Sequence, residues 1–293
     1  MSDIETVAVL GFGTMGAGIV QVCAQAGHDV VVLEDSDERL EAGRQRLEGD
    51  LEEGVRREKV TKEARDETLA RVRGTTEAGE LSGAGVVIEA VVEELEVKRE
   101  LLPAVADVVG ERAIMVTNTS ALSVTALAAT VPRPERFGGL HFFNPAQRMK
   151  LVEVVAAEQS SEETLNALEA FAEGLGKQPV RTKDRPGFLV NRLLMPYLNQ
   201  VIQAYDDGLA SAEDMDTALE MGLGYPMGGL KLLDLIGLDI HLHATSAAYE
   251  QTHDLHFSPP PLLSRMVSAV TSDARPGVAS IFMARRISEL ERP

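Results

Sequence analysis

The stretch VAVLGFGTMGAGIVQVCAQAGHDVVVLED, residues 7–35, decides the fold of this chain. It contains the pattern Gly-x-Gly-x-x-Gly, at Gly11, Gly13 and Gly16, between an apolar run and a segment of helical character. A second β-branched run follows and ends at Glu34. The glycines alone are a weak signal. A strand before them, a helix after them and an acidic residue at this distance are together typical of a dinucleotide-binding unit.

Each residue of this pattern has a physical role in the predicted site. Gly11 allows the tight turn, Gly13 lets the backbone approach a pyrophosphate, and Gly16 lets helix and strand pack closely. Thr14 and Met15 begin the helix, whose free N–H groups and positive dipole end would face the phosphates. A glycine-rich turn that serves packing alone is the alternative, and this context disfavours it.

Two adjacent carboxylates predict which dinucleotide is bound. Glu34 would accept hydrogen bonds from the adenosine ribose hydroxyls, and Asp35 stands beside it. A 2′-phosphate would therefore meet two negative charges and no obvious arginine. We expect NAD rather than NADP.

Six short runs rich in valine and isoleucine alternate with polar, helix-compatible segments in the first half of the chain. They are residues 6–10, 29–33, 85–92, 113–118, 136–143 and 150–156. Such runs are typical of strands buried on both faces, and their alternation with helices predicts an α/β fold with a parallel, doubly wound, Rossmann-type sheet. The charged segment 38–73 predicts a helical hairpin between two strands.

The pattern changes near residue 185. Strand-like runs give way to residues at spacings of three or four, which begin at Phe188 and predict an all-α C-terminal domain. Pro186 and Gly187 interrupt the sequence between the two patterns. We therefore predict an NAD-binding domain over residues 1–185 and a helical substrate and dimerisation domain over residues 186–293.

Composition and charge exclude several classes of protein. The formal net charge of −18 argues against nucleic acid as a partner, because phosphate binding needs clustered lysine and arginine. No apolar run is long enough to cross a membrane, and the first residues, MSDIETVAVL, lack the features of a signal peptide. We expect a soluble, cytoplasmic protein without a metal site. The single cysteine, Cys23, rules out an intrachain disulfide and is expected to be a small buried hydrophobe.

A histidine stands where a doubly wound sheet presents its ligand-binding residues. His141 ends the apolar run 136–143, and Glu153 follows on the next strand-like run. Oxidation of an alcohol by hydride transfer also requires removal of the hydroxyl proton, which a neutral histidine commonly accepts. A carboxylate at the other ring nitrogen would fix the tautomer and stabilise the imidazolium. The alternative is a structural histidine satisfied by its neighbours.

Five ordered motifs extend this argument: NTSAL, HFFNP, MKLVE, PGFLVNRLLMPYL and GYPMG, the first of which starts at residue 118. In this order and spacing the chain resembles the L-3-hydroxyacyl-CoA dehydrogenase family, and within it the 3-hydroxybutyryl-CoA dehydrogenase branch. The resemblance runs from about residue 4 to residue 268. It implies a homodimeric, NAD-dependent enzyme that interconverts (S)-3-hydroxyacyl-CoA and 3-oxoacyl-CoA in a cleft between its domains.

The same resemblance assigns the catalytic residues. His141 would be the general base and Glu153 the residue that orients it. Ser120 would hydrogen-bond the 3-oxygen of the substrate, and Asn191 would bind near the reacting carbonyl. Two of these have structural alternatives, since Ser120 could be a helix N-cap and Asn191 a polar residue on an otherwise apolar helix face.

The resemblance also implies a set of cofactor contacts. It places Glu93 and Lys98 beside the nicotinamide half of the site, with Asn118 as a further cofactor contact. Surface charges are the alternative for the first two. Two positions of the cofactor site depart from the family pattern, because Glu34 replaces the more usual aspartate and Phe12 replaces a small residue in the glycine loop.

Contacts to CoA are assigned by resemblance to the end of the helical hairpin. Arg56, Arg57 and Lys59 are the candidate substrate-binding cations there. Glu53, however, stands where many members of the family carry a lysine for a CoA phosphate.

The last 24 residues, 270–293, are the largest departure from the family. The family ends in a segment similar to GRKxGRGFY, and a shifted reading frame of this region can encode a similar segment. We therefore hypothesise a one-base deletion near codon 269. Two other functions stay open from the sequence. One is a dehydrogenase of a non-CoA hydroxy acid such as L-gulonate, and the other is a non-catalytic NAD-binding protein.

Overall fold

The computed structural model of the chain describes residues 4–270, which divide into two compact units. The first unit ends at Phe188 and the second begins at Leu189. The hypothesis of a frame-shifted tail concerns residues that, apart from residue 270, lie outside the described part.

The first unit contains an eight-stranded sheet. Its strands are β1 (Thr6–Leu10), β2 (Asp29–Leu33), β3 (Val72–Thr75), β4 (Val86–Glu89), β5 (Ile114–Thr117), β6 (Phe137–Phe142), β7 (Leu151–Ala156) and β8 (Gln178–Lys183). They are ordered β3-β2-β1-β4-β5-β6-β7-β8. The chain moves outward from β1 to β3 and then continues on the other side of β1, which creates the switch point at which doubly wound sheets bind ligands.

All six predicted strands are present, but the prediction of a wholly parallel sheet is wrong at one pair. β6 and β7 are antiparallel, whereas the other neighbouring strands are parallel. The connection over residues 143–150 explains this difference, because a parallel crossover needs a dozen residues or more. The sequence reading also missed β3 and β8. Both are edge strands with many half-buried or exposed residues, so they lack a continuous apolar run.

Helices cover both faces of this sheet. They are α1 (Thr14–Gln25), α2 (Asp37–Arg56), α3 (Lys62–Ala70), α4 (Leu95–Ala106), α5 (Val124–Ala128) and α6 (Glu162–Gly174). Along β1, Val7 and Val9 enter one buried cluster, while Ala8 and Leu10 enter the other. Since successive side chains of a strand point to opposite faces, a strand covered on both sides must be apolar throughout. The predicted helical hairpin is confirmed as α2 and α3, except that its last residues start β3.

The described part of the second unit is helical, as predicted. Its helices are α7 (Val190–Asp206), α8 (Ala212–Leu223), α9 (Gly229–Ile236), α10 (Leu238–Thr252) and α11 (Pro261–Val270). The predicted helical spacing begins too early, because Phe188 lies in a turn and is buried in the core of the first unit. Within residues 4–270, no helix is long and apolar enough to cross a membrane.

A neutral polar network lies buried within the second unit. The Asn199 side-chain amide donates to Thr245 Oγ1 at 2.9 Å, and the Thr245 hydroxyl donates to the Phe257 carbonyl at 2.7 Å. This orientation leaves Asn199 Oδ1 as the acceptor for His241 Nε2–H, at 3.0 Å. Burial lowers the pKa of His241 to about 4, so this ring is neutral at physiological pH.

Candidate active site

The antiparallel pairing of β6 and β7 brings the two candidate catalytic residues together. His141 and Glu153 lie directly opposite each other in the register, so their side chains share one face of the sheet. The Nδ1 atom of His141 is 2.7 Å from Oε2 of Glu153. Glu153 is fully buried and His141 is 6% exposed. The spacing of twelve residues in the sequence is therefore the spacing of a cross-strand pair.

This contact determines which nitrogen of the imidazole can accept a proton. A carboxylate accepts hydrogen bonds, so the neutral His141 ring carries its hydrogen on Nδ1 and has a free electron pair on Nε2. The ring is also packed against Phe143 and Phe188, with centroid distances of 4.7 Å and 5.5 Å. When Nε2 accepts a proton, the Glu153 carboxylate lies in contact with the positive charge that forms. The arrangement can therefore act as a general base.

Asn118 and Ser120 follow β5, next to the strand that carries His141. The Phe142 N–H donates to Asn118 Oδ1 at 2.9 Å, which fixes the end of β5 against β6. Ser120 is exposed. It is not the N-cap of α5, because Ser123 caps that helix by accepting from the Ala126 N–H at 3.1 Å. The N-cap alternative for Ser120 is thus wrong, and its hydroxyl has no role in a helix cap.

Of the second candidate pair, Lys98 is buried, which contradicts the surface-charge alternative for it, whereas Glu93 is exposed. Lys98 is 1% exposed and forms ion pairs with Glu93 at 2.7 Å and with Glu89 at 3.0 Å. Glu89 is fully buried and also accepts from the Thr117 hydroxyl at 2.6 Å. The sequence reading missed Glu89. Glu89 could have been recognised as a site residue because it is a carboxylate at the carboxyl end of an apolar strand, the same kind of position as that of His141.

Glu93 organises the loop that carries Ser120. Its Oε1 accepts from the Thr119 hydroxyl at 2.5 Å and from the N–H groups of Ser120 and Ala121, at 3.0 Å and 3.2 Å. Burial alone would raise the pKa of Glu93, but the Lys98 charge and these donors lower it below its ordinary value. An ionised Glu93 thus holds the loop in place.

The glycine loop has the geometry that a bound pyrophosphate requires. Gly11 has a φ of +96°, and a Cβ there would lie 2.8 Å from the Ala90 carbonyl oxygen. A Cβ at Gly16 would lie 2.0 Å from the Gly11 carbonyl oxygen, so this close approach of helix and strand also needs glycine. Within the described residues, a Cβ at Gly13 would meet no atom within 4 Å, and no side chain caps α1. Space and free N–H groups therefore coincide, and the loop fits a dinucleotide.

The two candidate ribose-binding carboxylates have different surroundings. Glu34 Oε1 accepts from the Phe12 N–H at 2.5 Å, which places it at the glycine loop. Asp35 is exposed and pairs with Arg39 at 3.3 Å, an arginine that the sequence reading did not consider. Asp35 partly offsets the charge of Arg39, and a 2′-phosphate there would still meet the carboxylates of Glu34 and Asp35. The Phe12 ring packs against α2, where a Cβ at Gly43 would lie 2.2 Å from it.

The candidate CoA-binding cations gather at the end of α2, where one carboxylate, Glu53, pairs with two of them. Glu53 pairs with Arg56 and, at 2.5 Å, with Arg57. Lys59 is exposed in the turn that follows the helix. Hydrogen bonds and charges from Arg57 and Arg56 lower the pKa of Glu53, so the glutamate stays ionised and competes with a phosphate for both arginines.

Asn191 belongs to the second unit, where it is half-buried in the first turn of α7. Met195 and Leu198, four and seven residues later, are buried. These spacings lie on one helix face, so the alternative of a polar residue on an apolar face stays open.

Comparisons with known proteins identify similar sequences and a similar structure. Models for the NAD-binding and C-terminal domains of 3-hydroxyacyl-CoA dehydrogenases match residues 6–185 and 187–277. The chain is 43% identical to a 3-hydroxybutyryl-CoA dehydrogenase of Mycobacterium tuberculosis over 272 residues, which cover 92% of this chain and 95% of that protein. It is 40% identical to the mitochondrial hydroxyacyl-coenzyme A dehydrogenase of Sus scrofa over 272 residues, 90% of this chain and 87% of that protein. The crystal structure of (S)-3-hydroxybutyryl-CoA dehydrogenase from Ralstonia eutropha superposes with a TM-score of 0.88 at 39% identity, covering 91% of this chain and 94% of that one.

Proposed function

This chain belongs to the 3-hydroxyacyl-CoA dehydrogenase family, and from that premise we propose that it interconverts (S)-3-hydroxybutyryl-CoA and acetoacetyl-CoA. As a member of the family it is an NAD-dependent oxidoreductase that oxidises the CH–OH group of 3-hydroxyacyl-CoA. The preference for a four-carbon acyl group is our proposal. It is supported by similarity to relatives named 3-hydroxybutyryl-CoA dehydrogenase along most of both chains.

The buried His141–Glu153 pair is the observation that carries the proposed mechanism. In the oxidising direction, Nε2 of His141 accepts the proton of the 3-hydroxyl group while the hydride leaves C3. Glu153 keeps the Nδ1–H tautomer in place and stabilises the imidazolium in a site that is shielded from water. In the reducing direction, the same imidazolium returns its proton to the oxygen.

Two further residues are proposed to hold the substrate. Ser120 would donate its hydroxyl to the 3-oxygen, because its loop is fixed by Glu93 while its own side chain is exposed. Asn191 would donate to the carbonyl of the thioester. Donors that are already oriented stabilise negative charge on these oxygens without reorganisation during the reaction.

The glycine loop and its neighbours are proposed to hold NAD, which supplies the hydride acceptor when bound. Gly11, Gly13 and Gly16 would surround the pyrophosphate, with the Thr14 and Met15 N–H groups directed at it.

Glu34 and Asp35 would face the adenosine ribose, and Glu93 and Asn118 the nicotinamide half. Lys98 is too buried for direct contact with a ligand in this conformation, so we assign it to fixing Glu93.

Other features of the proposed enzyme remain predictions. Arg56, Arg57 and Lys59 are proposed to bind CoA phosphates once the first two separate from Glu53. A homodimer, a cytoplasmic location and a domain division at residues 185 and 186 also stay predictions.

Substrate specificity provides the test of the proposed function. NADH oxidation is measured with acetoacetyl-CoA and with free acetoacetate, and NAD reduction is measured with L-gulonate. We expect kcat/KM for the CoA ester to exceed that for either free acid by at least about 10²-fold, because remote CoA contacts contribute to transition-state binding. Equal or higher values for a free acid would favour the hydroxy-acid alternative. Tight NADH binding without turnover of any of them would favour the non-catalytic one.

A further inference from the structure

Phe188 has a backbone conformation that is unusual for a large side chain. It lies in a turn over residues 186–189 with a φ of +48°, directly after Gly187 with a φ of +76°. The left-handed region costs a residue other than glycine on the order of 1–2 kcal/mol. The Phe188 N–H donates to the Arg185 carbonyl at 2.8 Å, but this turn hydrogen bond does not require a phenyl ring. The side chain must therefore explain why phenylalanine stands here.

The Phe188 ring is anchored in the first unit. It is 4% exposed and belongs to the buried cluster that includes Val124, Phe137 and Val155. On the site side, the Phe188 and His141 rings meet in an edge-to-face arrangement, with a centroid distance of 5.5 Å and an interplanar angle of 63°. Edge-to-face geometry of this kind is favourable between aromatic rings. Phe188 thus connects a rigid core to the candidate base.

The contacts of His141 show what this ring adds. The hydrogen bond to Glu153 fixes one atom, Nδ1, and leaves the imidazole able to rock about that bond. The Phe143 ring packs against the imidazole with a centroid distance of 4.7 Å, and it comes from the loop after β6. Phe188 provides a second aromatic contact, and this one belongs to the core. Together the three contacts determine the plane of the imidazole and hence the direction of Nε2.

We propose that Phe188 is a positioning residue that fixes the imidazole plane of His141 through the edge-to-face contact of the two rings. The proposal rests on the proposed role of His141 as general base. The left-handed backbone turns the Phe188 side chain into the core of the first unit just before α7 begins at Val190. Proton transfer depends steeply on alignment, and a misplacement of about 1 Å can lower a rate by about 10²-fold.

The main experiment replaces the ring by an aliphatic side chain of similar volume. In Phe188→Leu we expect kcat for acetoacetyl-CoA reduction to fall by about 10-fold or more, while KM for NADH changes less than about 3-fold. The deuterium isotope effect on kcat for 3-deuterated (S)-3-hydroxybutyryl-CoA oxidation should rise, because the misaligned chemical step becomes rate-limiting. The matched control is Phe137→Leu, a fully buried ring in the same cluster, about 13 Å along β6 from His141. It should lose stability without losing kcat.

A second pair of variants separates the ring from the backbone. Phe188→Gly removes the ring and relieves the left-handed strain, whereas Phe188→Ala removes the ring and keeps the strain. Thermal unfolding should rank the glycine variant as the more stable of the two. If the ring positions His141, both variants should lose kcat to a similar extent. Retention of kcat by the glycine variant would contradict a role for the ring.

The outcomes separate this inference from the proposed function. A Phe188→Leu enzyme that retains kcat, beside a His141→Gln enzyme that has lost it, would overturn the positioning role and leave the base intact. Equal losses of kcat in Phe188→Leu and Phe137→Leu would also overturn the positioning role, because they would reveal a general packing effect. A wild-type enzyme without turnover of the CoA ester would overturn both.

Discussion

Each of the two units buries one histidine against a polar partner, and the two partners differ in charge. His141 in the first unit meets the Glu153 carboxylate, whereas His241 in the second meets the side-chain carbonyl of Asn199. The two rings are about equally buried, at 6% and 3% exposure. Burial lowers the pKa of His241 to about 4, and the uncharged Asn199 amide supplies no counter-charge to offset this effect. Burial alone therefore does not make a histidine catalytic. The charge of its partner affects how readily it accepts a proton during a reaction.

The largest expected effect is the loss of the His141 ring. In His141→Gln the site retains a polar side chain but no base, and we expect kcat to fall by about 10³-fold or more. His241→Gln is the matched control, since it removes a buried histidine from the other unit and should change kcat less than about 3-fold. Stopped-flow NADH oxidation with acetoacetyl-CoA measures both. Similar losses of kcat in the two variants would contradict the view that only His141 takes part in catalysis.

A smaller effect on kcat is expected from Glu153→Gln, which gives His141 the kind of partner that His241 has. Glu153→Gln places an amide beside His141, as Asn199 does beside His241. The imidazolium then loses its counter-charge, and we expect kcat to fall by about 10²-fold. The same NADH assay applies, and a fluorescence titration with NADH serves as the control for an intact cofactor site. Full activity in this variant would show that the charge of Glu153 is not needed.

The neutral state of His241 predicts a loss of stability in acid. Its pKa is about 4 in the folded protein and about 6.5 in an unfolded chain, so the unfolded state binds the proton more readily. The contribution of His241 is complete above about pH 6.5 and is lost as the pH falls towards 4, by about 2–3 kcal/mol at pH 4.5. Urea unfolding of wild type and His241→Gln at pH 7 and 4.5 measures this change. The difference in free energy of unfolding between the two proteins should change by that amount between the two pH values. An equal difference at both pH values would contradict this role of His241.

The reverse exchange, Asn199→Asp, should have the smallest effect. The ionised aspartate cannot donate to Thr245 Oγ1 or to the His256 and Ser258 carbonyls, so we expect a loss of at least about 1–2 kcal/mol at pH 7. In return, a carboxylate beside His241 should raise its pKa, so less stability is lost between pH 6.5 and 4.5 than in wild type. Urea unfolding at the two pH values tests both parts. An unchanged acid dependence would mean that the partner does not control the titration of this ring.

Much of the fold was predictable because buried parallel strands leave an unbroken apolar run in the sequence. β1 and β2 were predicted with the bounds that the structure shows. β3, with the sequence VRGT, and β8, with QPVRTK, could not be recognised in that way because edge strands need apolar residues on fewer positions. The direction of β7 could have been predicted from the short connection that precedes it.

The candidate site was only partly predictable. The spacing of His141 and Glu153 suggested a pair, and the antiparallel register explains why that spacing works. The charged sequence EELEVK is typical of a surface segment. The burial of Lys98 therefore could not be predicted without knowledge of the fold. Likewise, Asn199 and His241 are 42 residues apart on two helices, and no local pattern predicts their hydrogen bond.

The most direct test of the account is chemical rescue of the base. In His141→Ala, the single-turnover oxidation of (S)-3-hydroxybutyryl-CoA is followed by NADH absorbance while imidazole is added, with NAD and substrate saturating. The account predicts a rate at least about 10³-fold below wild type that rises with the concentration of neutral imidazole, because the free base enters the space left by the side chain. A His141→Ala enzyme that turns over at nearly the wild-type rate without imidazole would contradict it.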